Sequence, residues 1–182
     1  GTLTVNQNLT RANATTHTGS ISIAASKTFT NDGVFTQDNI NSGTSTVSGS
    51  GTFSNLVTRT YHFKAGSFTS ILNNAGIMNV GGFTDTATLT PANGSSSSGA
   101  LNINNLAVMT LNSAFSGVGT VTVGNGGVLT IAAGGSLGGG RSFINNGSLN
   151  LADNFNITTF TGATFTNTGS IFVTKSGTPI TG

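Results

Sequence analysis

Phe165-Thr166-Asn167-Thr168-Gly169-Ser170-Ile171-Phe172-Val173 decides the fold. It runs apolar, spacer, Asn, spacer, Gly, and then a short alternating strand. Its first five positions recur at Phe29-Thr30-Asn31-Asp32-Gly33, Leu72-Asn73-Asn74-Ala75-Gly76 and Phe143-Ile144-Asn145-Asn146-Gly147. Asn bonds to nearby backbone and tolerates the left-handed region, and Gly enters that region without steric cost, so each pentad reads as a corner. Ser148-Leu149-Asn150-Leu151 and Ser170-Ile171-Phe172-Val173 follow their corners as strands. A corner and a short strand, met repeatedly, mark a chain wound into stacked coils.

The rest of the chain fits that winding. Thr2-Leu3-Thr4-Val5 and Ser20-Ile21-Ser22-Ile23 alternate with period two, as half-buried strands do. Val34 to Thr36, Thr44 to Val47, Thr52 to Ser54 and Ile77 to Val80 continue the series between Gly-containing turns. Ser67 to Ile71 reads as one strand, and so does residues 56–64, a longer Gly-free stretch holding the only Tyr. Two polar stretches, near residues 6–19 and 91–99, read as loop excursions from a single domain spanning 1–182. Gly spacings of about 20 residues predict roughly nine coils, stacked at the strand spacing of about 4.8 Å into a body roughly 40–45 Å long. The expectation is an all-β parallel solenoid.

Composition supports this and removes other classes. Only 5% of residues are charged, Glu is absent, and the net charge of +2 is spread along the chain. That is no footprint for nucleic acid, despite the basic pI of 9.5. The hydrophobic 35% sits in ordered alternation, unlike a disordered polar tract. Thr, Val, Ile and Phe favour strands over helices. No Cys is present, so neither disulfides nor thiolate chemistry enter. No apolar run approaches the roughly 18 residues a membrane-spanning helix needs. The start at Gly1 is consistent with a processed secreted protein or a piece of a longer one.

Stacking coils puts like residues above like residues. Phe29, Leu72, Phe143 and Phe165 share one motif position and are expected to form an internal ladder where their coils are neighbours. Asn31, Asn74, Asn145 and Asn167 are expected to form a matching amide ladder, with Gly33, Gly76, Gly147 and Gly169 completing the corners. A stack also has two ends with unpaired strands. Strands at Leu3 and Val5 and near Ile180 are the candidate assembly edges. Identical units joined head to tail give a filament, so the expected partner is the chain itself. Lys at Val5 or Ile180 is expected to block it.

The corners "FTNDG", "FINNG" and "FTNTG", followed by "SLNL" or "SIFV", resemble the β-strand-repeat regions of bacterial surface and secreted proteins, among them autotransporter passengers and filamentous-haemagglutinin-like adhesins. The resemblance spans most of the chain. It implies a right-handed parallel β-helix, an extracellular location and an adhesive or structural role, and it carries over no catalytic or binding residue.

Chemistry is sparse in the sequence, and no cofactor is expected. Asp32 and Asp38 are the closest acids, and a paired-acid site like that of polysaccharide-active enzymes needs Asp85 or Asp153 beside them. His17 and His62 are isolated and read as solvated surface residues, with no metal site. Arg59, Tyr61, His62 and Lys64 form the candidate contact patch, with Arg59 and Tyr61 on one strand face beside Val57 and Phe63. Its expected partner is a second subunit or a glycan, set against the plainer reading of a long strand at an irregular coil. Thr-x-Thr pairs such as Thr2/Thr4 and Thr120/Thr122 have irregular spacing, which disfavours an ice-binding array. The function expected is an extracellular structural protein that assembles end to end. The alternatives are an adhesin or phage-fibre piece binding glycans or a cell surface through its side, and a polysaccharide-active enzyme.

Overall fold

The computed structural model describes residues 1–38, 45–82, 85–152 and 164–173. Their regular structure is all β, and every strand pair is parallel. The first turn comprises β1 (Thr2–Val5), β2 (Leu9–Arg11) and β3 (Thr15–Thr18). The second comprises β4 (Ser20–Ile23), β5 (Thr28–Asn31) and β6 (Val34–Asp38), and the third β7 (Thr46–Ser48), β8 (Thr52–Asn55) and β9 (Thr60–Phe63). The fourth comprises β10 (Gly66–Phe68), β11 (Ile71–Asn74) and β12 (Ile77–Val80), and the fifth β13 (Ala87–Leu89), β14 (Ser96–Ser97) and β15 (Ala100–Ile103). The sixth holds β16 (Ala107–Leu111), β17 (Ala114–Phe115) and β18 (Thr120–Val123), and the seventh β19 (Val128–Ile131), β20 (Ser136–Leu137) and β21 (Ser142–Asn145). Then come β22 (Ser148–Leu151), β23 (Thr164–Asn167) and β24 (Ser170–Val173).

Every third strand shares a face, and the molecule is a three-sided parallel β-solenoid. The first face runs β1-β4-β7-β10-β13-β16-β19-β22-β24, and the third runs from β3 to β23 in eight strands. The second face has five strands from β2 to β14, then continues through a bridge between Ser96 and Ser116 to the β17–β20 pair. Its strands shrink to two residues there because Gly and Ser crowd the segments around 92–99, 112–119 and 133–140. Up the first face Leu3, Ile21, Val47, Phe68, Leu89, Met109, Leu129, Leu149 and Ile171 lie one above another. The mean turn is about 21 residues. Among the described residues seven turns carry all three strands, an eighth shows two, and β24 begins a ninth.

Period-two alternation produces the core. In β4, β5, β8, β9, β15, β18, β19, β21 and β22 alternate residues are buried, and the outward ones are mostly Thr, Ser or Asn. Turns two to four are filled by aromatic rings. Phe53 lies 4.4 Å from Tyr61, 5.2 Å from Phe29 and 5.8 Å from Phe68, centre to centre. Above them Leu, Ile, Val and Met take over, and Phe143 stacks on Phe165 at 5.4 Å.

Four expectations change. Residues 6–19 and 91–99 do not loop away: they contain β2, β3 and β14, which are wall strands. Ser67 to Ile71 is not one strand, because Thr69 and Ser70 turn the chain between β10 and β11. Residues 56–64 are not one strand either. Leu56 to Arg59 is a corner, with Thr58 at φ 65, and only Thr60–Phe63 is extended. Finally, the four motif apolars are not one column. Phe29 and Leu72 lie on the second face with Phe53 between them, whereas Phe143 and Phe165 pair on the third.

Candidate functional site

The polar corners are the most ordered chemistry in the molecule. Between the second and third faces, Asn31 donates to Asn55 Oδ1 (2.8 Å), Asn55 to Asn74 Oδ1 (2.7 Å), and Asn74 to Ser97 Oγ (3.0 Å). Each amide also donates to the carbonyl that opens the next strand one turn on: Thr60, Ile77 and Ala100 respectively, each at 3.0 Å. One side chain thus ties three strands, and all three Asn are buried. Asn55 lacks a following Gly, which hid it in the sequence. The signal present was the half-motif Phe53-Ser54-Asn55.

Asn145 and Asn167 form a second ladder (2.7 Å) at a different corner, between the third and first faces. Beneath Asn145 lies Val123, and Asn145 Oδ1 is buried without a partner. The corner glycines also act differently from expectation. Gly33, Gly76, Gly147 and Gly169 are not among the positive-φ residues. They are needed for close approach: a Cβ at Gly76 would strike the carbonyls of Leu56 and Arg59, and one at Gly147 those of Gly124 and Gly127.

Higher in the Asn31 column the ladder stops. Gly117 lies over Ser97, and Gly139 over Gly117. The guanidinium of Arg141 reaches into this region, only 1% exposed. It donates to the carbonyls of Gly138 (2.8 Å), Gly117 (2.9 Å) and Phe115 (3.3 Å), and sits 5.3 Å from the Phe115 ring centre. Its Nη1 is buried without a partner, and burial pushes its pKa down to about 10. The sequence showed only an isolated Arg after three glycines.

The candidate patch at Arg59, Tyr61, His62 and Lys64 separates into different environments. Tyr61 and Phe63 point inward and are fully buried, so Tyr61 is a core residue and not a contact residue. Its hydroxyl donates to Gln37 Oε1 (2.9 Å), and burial raises its pKa well above the ordinary value. Arg59 lies in the corner, off the Tyr61 face, and pairs with Asp32 at 2.8 Å. Lys64 pairs with Asp38 at 2.8 Å. His62 is half-buried on the outer face and accepts a 3.4 Å bond from Asn79, which itself accepts one from Asn102. Burial, then the nearby Lys64 charge, lowers the His62 pKa.

Asp32 and Asp38 flank β6 at its two ends, each engaged by a cation from the turn above. Asp85 is exposed about two turns further on, and Asp153 lies outside the described residues. Among the described residues no group of three or more His, Cys, Asp or Glu is placed to hold a metal ion. The Thr-x-Thr pairs fall on different faces: Thr2/Thr4 on the first, Thr28/Thr30 on the second and Thr120/Thr122 on the third.

The two ends of the described stack differ. At one end β1, β2 and β3 each pair on one side only. Leu3 is half-buried and Val5 buried, both facing inward. In the same turn Arg11 is exposed, and Thr15 and His17 are half-buried and stand over inward Phe35 and Gln37. His17 is therefore an end-of-stack residue, not a side-face one. At the other end Phe165, Ile171 and Val173 are 43%, 41% and 44% exposed, although each lies over a buried residue. Ile180 lies outside the described residues. No family model, curated protein or solved structure matches this chain.

Proposed function

We propose that this chain is a non-catalytic structural β-solenoid of the cell exterior, of the kind built by bacterial β-strand-repeat surface proteins. Its copies extend the rod end to end, β1 of one lying on β24 of the next. The observation behind this is the match between the outermost described strands of the first face. β1 turns Leu3 and Val5 inward and Thr2 and Thr4 outward, while β24 sets Ile171 and Val173 over inward Leu149 and Leu151. Stacked together, they repeat the pairing of two inward apolar residues over two that joins β1 to β4, β16 to β19, β19 to β22 and β22 to β24. Backbone groups left open at both edges would then be satisfied, and Ile171 and Val173 would leave water.

Electron microscopy and sedimentation of the pure chain test this. Filaments with an axial repeat near one subunit length are expected at high protein concentration. Leu3→Lys and Val173→Lys, each a charge at the junction, should leave single rods. Wild-type protein that stays as single rods at its highest soluble concentration would overturn the reading.

A further inference from the structure

We propose that Asn93–Gly94 is a self-modifying site, at which the backbone nitrogen of Gly94 displaces the Asn93 amide and leaves an acid in its place. The sequence holds three Asn–Gly steps, at residues 93–94, 125–126 and 146–147. The dipeptide alone ranks them equally, but the fold separates them. Each lies in a corner with its asparagine exposed. Six residues, 90–95, lie between β13 and β14, whereas two lie between β10 and β11 in the turn below and two between β16 and β17 in the turn above. The corner holding Asn93 therefore projects beyond both its neighbours. A Cβ at Gly94 would meet nothing within 4 Å. Among the described residues neither the Asn93 side chain nor the Gly94 N–H has a hydrogen-bond partner.

The other two steps are held. Gly126 lies against the Asn105 side chain, because the corner Gly124–Gly127 stacks on one of equal length at Asn104–Ala107. Asn146 Oδ1 accepts from Thr168 Oγ1 at 2.6 Å, and Gly147 packs on the carbonyls of Gly124 and Gly127. In the Asn93 corner only the base is fixed. Ser95 donates to the Ala92 carbonyl through its N–H (3.2 Å) and its hydroxyl (2.6 Å), and the hydroxyl accepts from the Leu72 N–H at 2.9 Å. Gly94, at φ 89, has no Cβ to keep its nitrogen from the asparagine side chain. The chemistry balances with water alone. The Gly94 nitrogen loses its proton to solvent and bonds to Asn93 Cγ, the Cγ–Nδ2 bond breaks, and ammonia leaves. Water then opens the cyclic imide at either carbonyl. One opening gives an aspartate at position 93, and the other gives an isoaspartate with the chain routed through its β-carbon. Nothing is oxidised or reduced. The formal net charge falls by one from +2. The new acid stands at the vertex between the first and second faces, where no described residue carries one.

The test holds the folded chain in mildly alkaline buffer and follows acidic species by ion-exchange chromatography, locating each by peptide mass mapping. Position 93 should convert first, about tenfold faster than position 146, the factor that one hydrogen bond of ordinary net strength sets on a rate. Position 125 should fall between them. In urea the three rates should converge, because the fold alone separates them. Asn93→Gln should remove the first acidic species, and Thr168→Val should bring position 146 towards its rate in urea. Mildly acidic buffer should slow all three, since the attacking nitrogen must lose a proton. These measurements need no filament, so they stand apart from the end-to-end reading. Conversion at position 93 no faster than at position 146 in the folded chain overturns the proposal, and so does a first acidic species that survives Asn93→Gln. A ranking that persists unchanged in urea also overturns it, because it then belongs to the local sequence and not to the corner.

Discussion

A single buried asparagine carries more of this fold than any ion pair. Asn55 accepts from Asn31 and donates toward Asn74 and the Ile77 carbonyl, so its loss strands donors and acceptors on both neighbours. Asn55→Ala should cost about 2–4 kcal/mol in urea unfolding, since each stranded buried group costs about 1–3 kcal/mol. Asn145→Ala should cost less, because Asn145 Oδ1 already lacks a partner. His62 sets a pH dependence. Its pKa in the fold lies below the 6.5 of the unfolded chain. As pH falls through 6.5 the unfolded chain takes a proton that the fold resists, so stability drops until the folded pKa is passed. Asn79 donates to the ring nitrogen that protonation would occupy, which acts in the same direction. Unfolding midpoints measured at about pH 7 and pH 5 should converge more closely in His62→Gln than in wild type.

Strands and corners were legible to different degrees, and the reason is physical. Alternation of apolar with Thr or Ser marks a strand wherever one face is buried, so β1, β4, β12, β15, β18 and β19 stand out in the residues themselves. Corners were half legible. The Asn–Gly pentad announces a bend but not which of three vertices it makes, and Asn31 and Asn145 sit at different ones. The Leu56–Arg59 corner was invisible because Thr58, a β-former, takes the positive φ usually left to Gly. That error carried Arg59 onto the wrong face and made a contact patch of what is partly core. Arg141 was illegible because its carbonyl partners come from two turns. At this scale β8 is the keystone of the aromatic block. Phe53→Ala should cost about 3–5 kcal/mol, as large core truncations do. Phe165→Ala, at a position 43% exposed, should cost clearly less by thermal unfolding.

The whole molecule is a one-dimensional stack, in which each turn rests on its two neighbours. Val108 pairs with Val128, so residues 108–127 make one complete circuit. Deleting those residues should give a folded rod shorter by about 4.8 Å, read by small-angle scattering with unchanged strand content by circular dichroism. Deleting only 108–117 should abolish cooperative unfolding, because the remaining strands then meet the wrong face. The reuse of one pentad at two vertices has an evolutionary consequence. An exchange of chain between two pentads keeps a corner at the splice. Exchange between two pentads at the same vertex inserts or removes whole circuits and keeps phase. Exchange between Asn31 and Asn145 tracts leaves a fractional circuit and a misaligned product. Length changes that keep the fold are therefore those made between pentads of one vertex, and they come in whole circuits.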